Sequence, residues 1–246
     1  MAEFKLPTEE VELPSKGLLY SKDNPLSSGK LEMKYMTAKE EDILTNQNYI
    51  SKGVVIDKLL QSLIVNKDIN YNTLLIGDKN AIMIAARILS YGKSYEFTYD
   101  SKPQNVDLSL LQNKEINTDL FKSGENNFAF TLPNTDNQIT FKLLTHGDDK
   151  KIDAEIRGIK KIDKEGSHDV TTRLAHMITS INGSEEKKDI REFVNGYLLA
   201  KDARELRNYY SSIQPDIDMK VYVDTIDGGE EVVDLPIGLN FFWPDA

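Results

Sequence analysis

Two stretches of this chain read alike: "LEMKYMTAKEEDIL" from Leu31 and "ITFKLLTHGDDKKI" from Ile139. A recurring order of elements restricts a fold more than any local signal, because both copies must find a packing that suits them. Lys34 aligns with Lys142 and Thr37 with Thr145, and an acidic helical first turn follows each strand. Thr37 with Glu40 three residues on forms a capping box. Gly53 stops that helix, and Val55, Leu59, Leu60, Leu63 and Ile64 space a second, amphipathic one. Asp78 is expected to cap a third, "KNAIMIAARILSYG", which is apolar almost all round and so belongs at the centre of a bundle. "YEFTY", a turn at Lys102-Pro103 and "NVDL" then predict a hairpin.

The later copy follows in the same order. "KIDAEIRGIKKIDKEG" closes at Gly166, "VTTRLAHMITSING" matches the second helix, and "REFVNGYLLAKDARELRNYY" matches the third. "MKVYVDTIDGGEEVVDL" repeats the hairpin, and both hairpins end in Val-Asp-Leu. The expected fold is α+β: two tandem, duplicated lobes, each a short strand, a small helical bundle and a β-hairpin, each with its own core. Identity between the copies is low, so chance similarity is the alternative. The boundaries expected are an extended N-terminal arm over 1–30, a first lobe over 31–111, a polar linker leading into a strand over 112–137, and a second lobe over 138–246 that ends in an aromatic tail.

The arm contains three prolines and two glycines in "FKLPTEEVELPSKGLLYSKDNPLSSGK". Pro7 and Pro14 push their predecessors toward extended backbone. Residues 1–20 are therefore expected to be extended and to make much of their contact outside the first helical lobe, with the second lobe or with a partner. Composition narrows the function classes. Across 246 residues the formal net charge is −10, which opposes attraction to nucleic acid or anionic membrane. The absence of cysteine excludes disulfides, thiol nucleophiles and thiolate zinc sites. No apolar run has the length of a signal peptide or membrane span, so a protein that stays in a cytosol, or leaves it by a route other than secretion, is expected.

Catalytic motifs are absent. "SSGK" at Ser27 lacks the first glycine of a phosphate-binding loop. His146, His168 and His176 have no metal-ligand spacing, and His146 and His168 are expected to face solvent. Asp148-Asp149 and Glu40-Glu41-Asp42 are better explained as helix starts than as acid–base pairs. "DTIDGGEE" lacks the ligand rhythm of a calcium loop. No enzyme activity, cofactor or metal is expected.

Several stretches together carry a family resemblance: "VELPSKGLLY", "GKLEMKYMTAKEEDILTN", "DKLLQSLI", "IGDKNAIMIAARILSYGKSYEF" and the terminal "PIGLNFFWP". The chain resembles the baseplate hub and hub-assembly proteins of T-even-type contractile-tailed bacteriophages, over nearly its whole length and least over 112–137. The resemblance implies a non-enzymatic structural or assembly protein of the tail baseplate hub, built in host bacterial cytoplasm. Its implied partners are other phage baseplate hub proteins and further copies of itself, with no nucleic acid or membrane. Two alternatives stay open: a transient assembly chaperone absent from the mature virion, and a soluble enzyme. The resemblance also implies a C-x-x-C-G knuckle in the hairpins. The corresponding positions here are Asp224, Asp227 and Gly228, and those near Asp100 and Pro103, so the implied metal is in doubt and the second turn rests on Gly228-Gly229.

Phe241, Phe242 and Trp243 are consecutive. In an extended strand Phe241 and Trp243 would share one face and Phe242 would take the other. They are either a plug for the chain's own core or an anchor for a neighbour. With Leu13, Pro14 and Tyr20 of the arm they make the candidate partner interface.

Overall fold

The computed structural model describes residues 6–163 and 166–242. Strand β1 (Thr8–Glu12) pairs antiparallel with β2 (Lys30–Lys34), with Val11 opposite Leu31. Within the chain, the described part of the N-terminal arm is therefore built into the first half. Pro7 and Pro14 flank β1, so every residue of the strand keeps its ladder donor. Between the strands two turns abut. Gly17 has φ +75, and a Cβ there would lie 2.4 Å from the Ser27 carbonyl oxygen, a position only glycine tolerates.

Helices α1 (Ala38–Leu44), α2 (Gln47–Ser51), α3 (Val55–Leu63) and α4 (Ile76–Tyr91) follow. Leu59, Leu60 and Leu63 of α3 are fully buried, as their spacing predicts. Strands β3 (Ser94–Tyr99) and β4 (Lys102–Asp107) form the first hairpin. Its turn lies at Asp100-Ser101, both with positive φ, as a two-residue hairpin loop requires. Lys102 and Pro103, where the sequence predicted the turn, stand inside β4, two residues beyond the observed one.

The second half runs β5 (Phe128–Thr131), β6 (Gln138–Phe141), α5 (His146–Ile162), α6 (Asp169–Met177), β7 (Ile178–Ile181), α7 (Lys187–Gly196) and α8 (Ala200–Ile213). A second hairpin, β8 (Lys220–Asp224) and β9 (Glu230–Asp234), and a 3-10 turn, Leu239–Phe242, complete it. The β5-β6-β7 sheet is antiparallel throughout. Helix α5 ends at Ile162, ahead of Gly166. In both halves a strand pair leads to helices and then a hairpin, but the second half inserts β7 among its helices and has its longest helix, α5, first.

The polar stretch after β4 is tied down by the second half. Lys114 donates its N–H to the Asp216 carbonyl (2.8 Å) and Asp218 donates to that of Gln112 (2.8 Å). The buried apolar residues form one continuous cluster reaching from Leu13 to Phe242. The two halves thus share a core where the sequence suggested two separate ones.

Candidate functional site

Two buried carboxylates pin the loops that follow β1 and β5. Asp78 is the third residue of α4 and Asp202 the third of α8, and both are fully buried. Asp78 accepts from the Ser15 N–H (2.9 Å), the Ser15 hydroxyl (2.7 Å) and the Tyr20 hydroxyl. Asp202 accepts from the Asn134 N–H (2.9 Å), the Asn134 side-chain amide (2.8 Å) and the Thr135 hydroxyl (2.9 Å). Burial pushes the Asp78 carboxyl above its usual range, against its three donors. Burial also opposes the charge on Asp202, but there the donors prevail and hold it below that range. Asp78 is therefore a loop anchor, where the sequence suggested a helix cap. Its partner Ser15 follows Leu13-Pro14, and the partners of Asp202 follow Leu132-Pro133.

The capping boxes recur with the same spacing. Glu40 reaches back to the Thr37 N–H (3.0 Å) and pairs with Lys34 (2.7 Å). Asp148 reaches back to the Thr145 N–H (3.2 Å) and pairs with Lys142 (2.7 Å).

The start of α5 docks against the start of α4. His146 donates its N–H to the Leu74 carbonyl (2.7 Å), and Ile76 donates to that of Leu144 (3.2 Å). This junction buries His146, which is 3% exposed, and corrects the expectation that it faces solvent. Lys79 donates to its Nδ1 (3.3 Å), so the ring proton resides on Nε2, facing Asp57 Oδ2 at 3.1 Å. That approach has ion-pair distance without the alignment of a good hydrogen bond. Asp57 Oδ1 receives Lys79 (3.0 Å) and the Tyr71 hydroxyl (3.2 Å), and the Tyr71 ring meets His146 edge-on at 4.8 Å. Burial alone would raise the Asp57 carboxyl, but His146 and Lys79 outweigh it and hold it at about 2. His176 pairs with Glu155 (2.9 Å), which also receives Arg191. His168 is partly exposed beside Asp163.

The hairpins clamp one another. The Gln104 side-chain amide donates to the Asp224 carbonyl (2.9 Å), and its oxygen accepts the Asp224 N–H (3.0 Å), imitating one rung of a ladder. Lys102 caps the Thr225 carbonyl. Thr225 exchanges backbone and hydroxyl bonds with Gly229, so the second turn has more support than its glycines. Among the described residues no group of histidine and carboxylate side chains is arranged to hold a metal.

A family model described as T4 bacteriophage base plate protein matches residues 7–243. The chain belongs to this family. No curated protein and no solved structure matches it. It is a bacteriophage baseplate protein, and none of its described helices is long and apolar enough to cross a membrane.

Within this baseplate protein, the residues expected to meet a partner lie inside the chain. Leu13, Pro14, Tyr20, Phe241 and Phe242 are all buried. Tyr20 donates to Asp78 and accepts the Leu75 N–H (2.9 Å). Phe241 meets the Tyr95 ring of β3 edge-on at 4.9 Å, so the tail crosses to the first half. A 3-10 turn places both phenylalanines inward, which an extended strand would not. These five side chains offer no exposed anchor; Trp243 lies outside the described residues. Exposed apolar side chains occur instead on the second hairpin, where Tyr222 faces Val232 across the strands and Ile226 projects from the turn. Sequence alternation in "KVYVD" was the available signal for Tyr222.

Proposed function

We propose that this baseplate protein is a non-enzymatic component of the baseplate hub, working through contacts with other hub proteins and with further copies of itself. In this reading it assembles in the host cytoplasm and engages neither nucleic acid nor membrane. The observation that carries the reading is how the buried polar groups are used. Glu40, Asp78, Arg87, His146, Asp148 and Asp202 are each engaged with the chain's own loops, caps or junctions. Catalysis calls for a nucleophile and base held open to a cavity; these groups instead make the chain a rigid block. Tyr222, Val232 and Ile226 supply apolar contact surface outside that block.

The two halves, 31–111 and 138–246, are further proposed to descend from a tandem duplication. The Lys34–Thr37–Glu40 and Lys142–Thr145–Asp148 triads support this, as do the Asp78 and Asp202 anchors. Leu13, Pro14, Tyr20, Phe241 and Phe242 then act as internal plugs that preserve the block.

The test is a phage with this gene deleted, its tails isolated and imaged by electron microscopy. Baseplates lacking a central hub are expected. Complete hubs in the deletion strain would overturn the proposal.

A further inference from the structure

Two adjoining hollows lie between the loop after α3 and the first turns of α5. Their volumes are about 370 and 640 Å3, and they share Asn72 and Lys150 as lining. The walls present mostly donors. Lys58, Lys67 and Lys150 line the first hollow, and none of them has a carboxylate within ion-pair reach among the described residues; Lys67 donates to the Ile64 carbonyl. Asn66 and Asn70 commit their Oδ1 atoms to the N–H groups of Asp68 (2.9 Å) and Asn72 (3.1 Å), which leaves their amide N–H groups outstanding. The single carboxylate on the first hollow's wall, Asp57, is already held by Lys79, Tyr71 and His146. In the second hollow Asp148 is matched by Lys142, and Lys151 adds a further cation.

A wall of donors selects a ligand made of acceptors. In a chain of net charge −10, unpaired lysines gathered along one groove form a local inversion of the surface field. We propose that this groove receives an acidic peptide segment of a neighbouring protein. The joined hollows extend beyond what a single small anion fills. A nucleic acid would project past the groove toward the rest of a chain whose net charge is −10, and charges still act over roughly 8 Å in physiological salt. The inference rests on the assembly reading only for where the neighbour is found; the binding belongs to the isolated chain.

Fluorescence anisotropy of a fluorescein-labelled hexaglutamate peptide with the full chain at low salt tests it. Saturable binding that weakens as salt rises is expected. Lys58→Gln, Lys67→Gln and Lys150→Gln should each weaken it roughly two- to fivefold, the scale of an exposed charge pair. Lys39→Gln, on α1 outside the groove, should leave it unchanged. Inorganic phosphate and a short oligothymidylate should compete poorly. No peptide binding, equal weakening by Lys39→Gln, or tighter binding of phosphate or oligonucleotide would overturn the proposal. Peptide binding by a chain that proves dispensable for hub formation would refute the hub reading and leave the groove intact.

Discussion

Replacing Asp57 with Asn should loosen the junction between the halves, in a pH-dependent way. The Asp57 carboxyl is held at about 2 against an ordinary value of 3.8, with burial opposing and His146 and Lys79 prevailing. That depression corresponds to about 2 kcal/mol of folding stability at neutral pH. A carboxyl depressed by folding contributes fully above its unfolded value, and the contribution is lost as pH falls through the folded value. The wild-type protein should therefore lose this increment between about pH 4 and about pH 2, while Asp57→Asn never has it. Urea unfolding of both proteins, followed by circular dichroism at neutral pH and again near pH 2, gives the comparison. The variant should be less stable by about 2 kcal/mol at neutral pH, and the gap should shrink toward zero in acid. A variant as stable as wild type at neutral pH would refute the reasoning, as would a gap that persists undiminished in acid.

Asp78→Ala should cost about 3 kcal/mol or more, because it strands the Ser15 and Tyr20 donors in the core; thermal unfolding checks this. Phe241→Ala should cost roughly 3–5 kcal/mol as a large-to-small core change, measured by the same melt. Gln104→Ala should cost about 1–2 kcal/mol and speed hydrogen exchange at the Asp224 amide, since it removes both bonds of the side-chain rung.

Features carried by spacing along one element were legible in the sequence. The capping box at Thr37 and Glu40, the apolar stripe of α3 and the paired starts at Lys34 and Lys142 all stand in the structure. Features made by distant segments meeting were not. Asp78 reads locally as a cap, yet its partners lie about sixty residues earlier in the chain. A clue was present, since Leu-Pro-polar occurs at 13–15 and 132–134, and a Leu pair precedes an Asp at Leu74-Leu75 and Leu198-Leu199. His146 reads as an exposed first-turn residue, and only the approach of α4 buries it. The burial of five of the candidate interface residues was not legible for a related reason. Apolar character at Leu13, Tyr20, Phe241 and Phe242 marks burial of some kind, but not whether the covering surface is the chain's own. The hairpin turn moved from Lys102-Pro103 to Asp100-Ser101 because a two-residue loop selects residues that accept positive φ, which proline cannot.

On the function proposed above, this chain works through contacts within the baseplate hub. Chemical cross-linking of isolated hub-containing baseplate intermediates, followed by mass spectrometry, tests it most directly. Cross-links from lysines of this chain to other hub proteins are expected, with Lys220 beside the exposed Tyr222–Val232 face and Lys58, Lys67 or Lys150 of the groove among them. Intermediates that contain a finished hub but neither this chain nor any cross-link to it would overturn the proposed hub role.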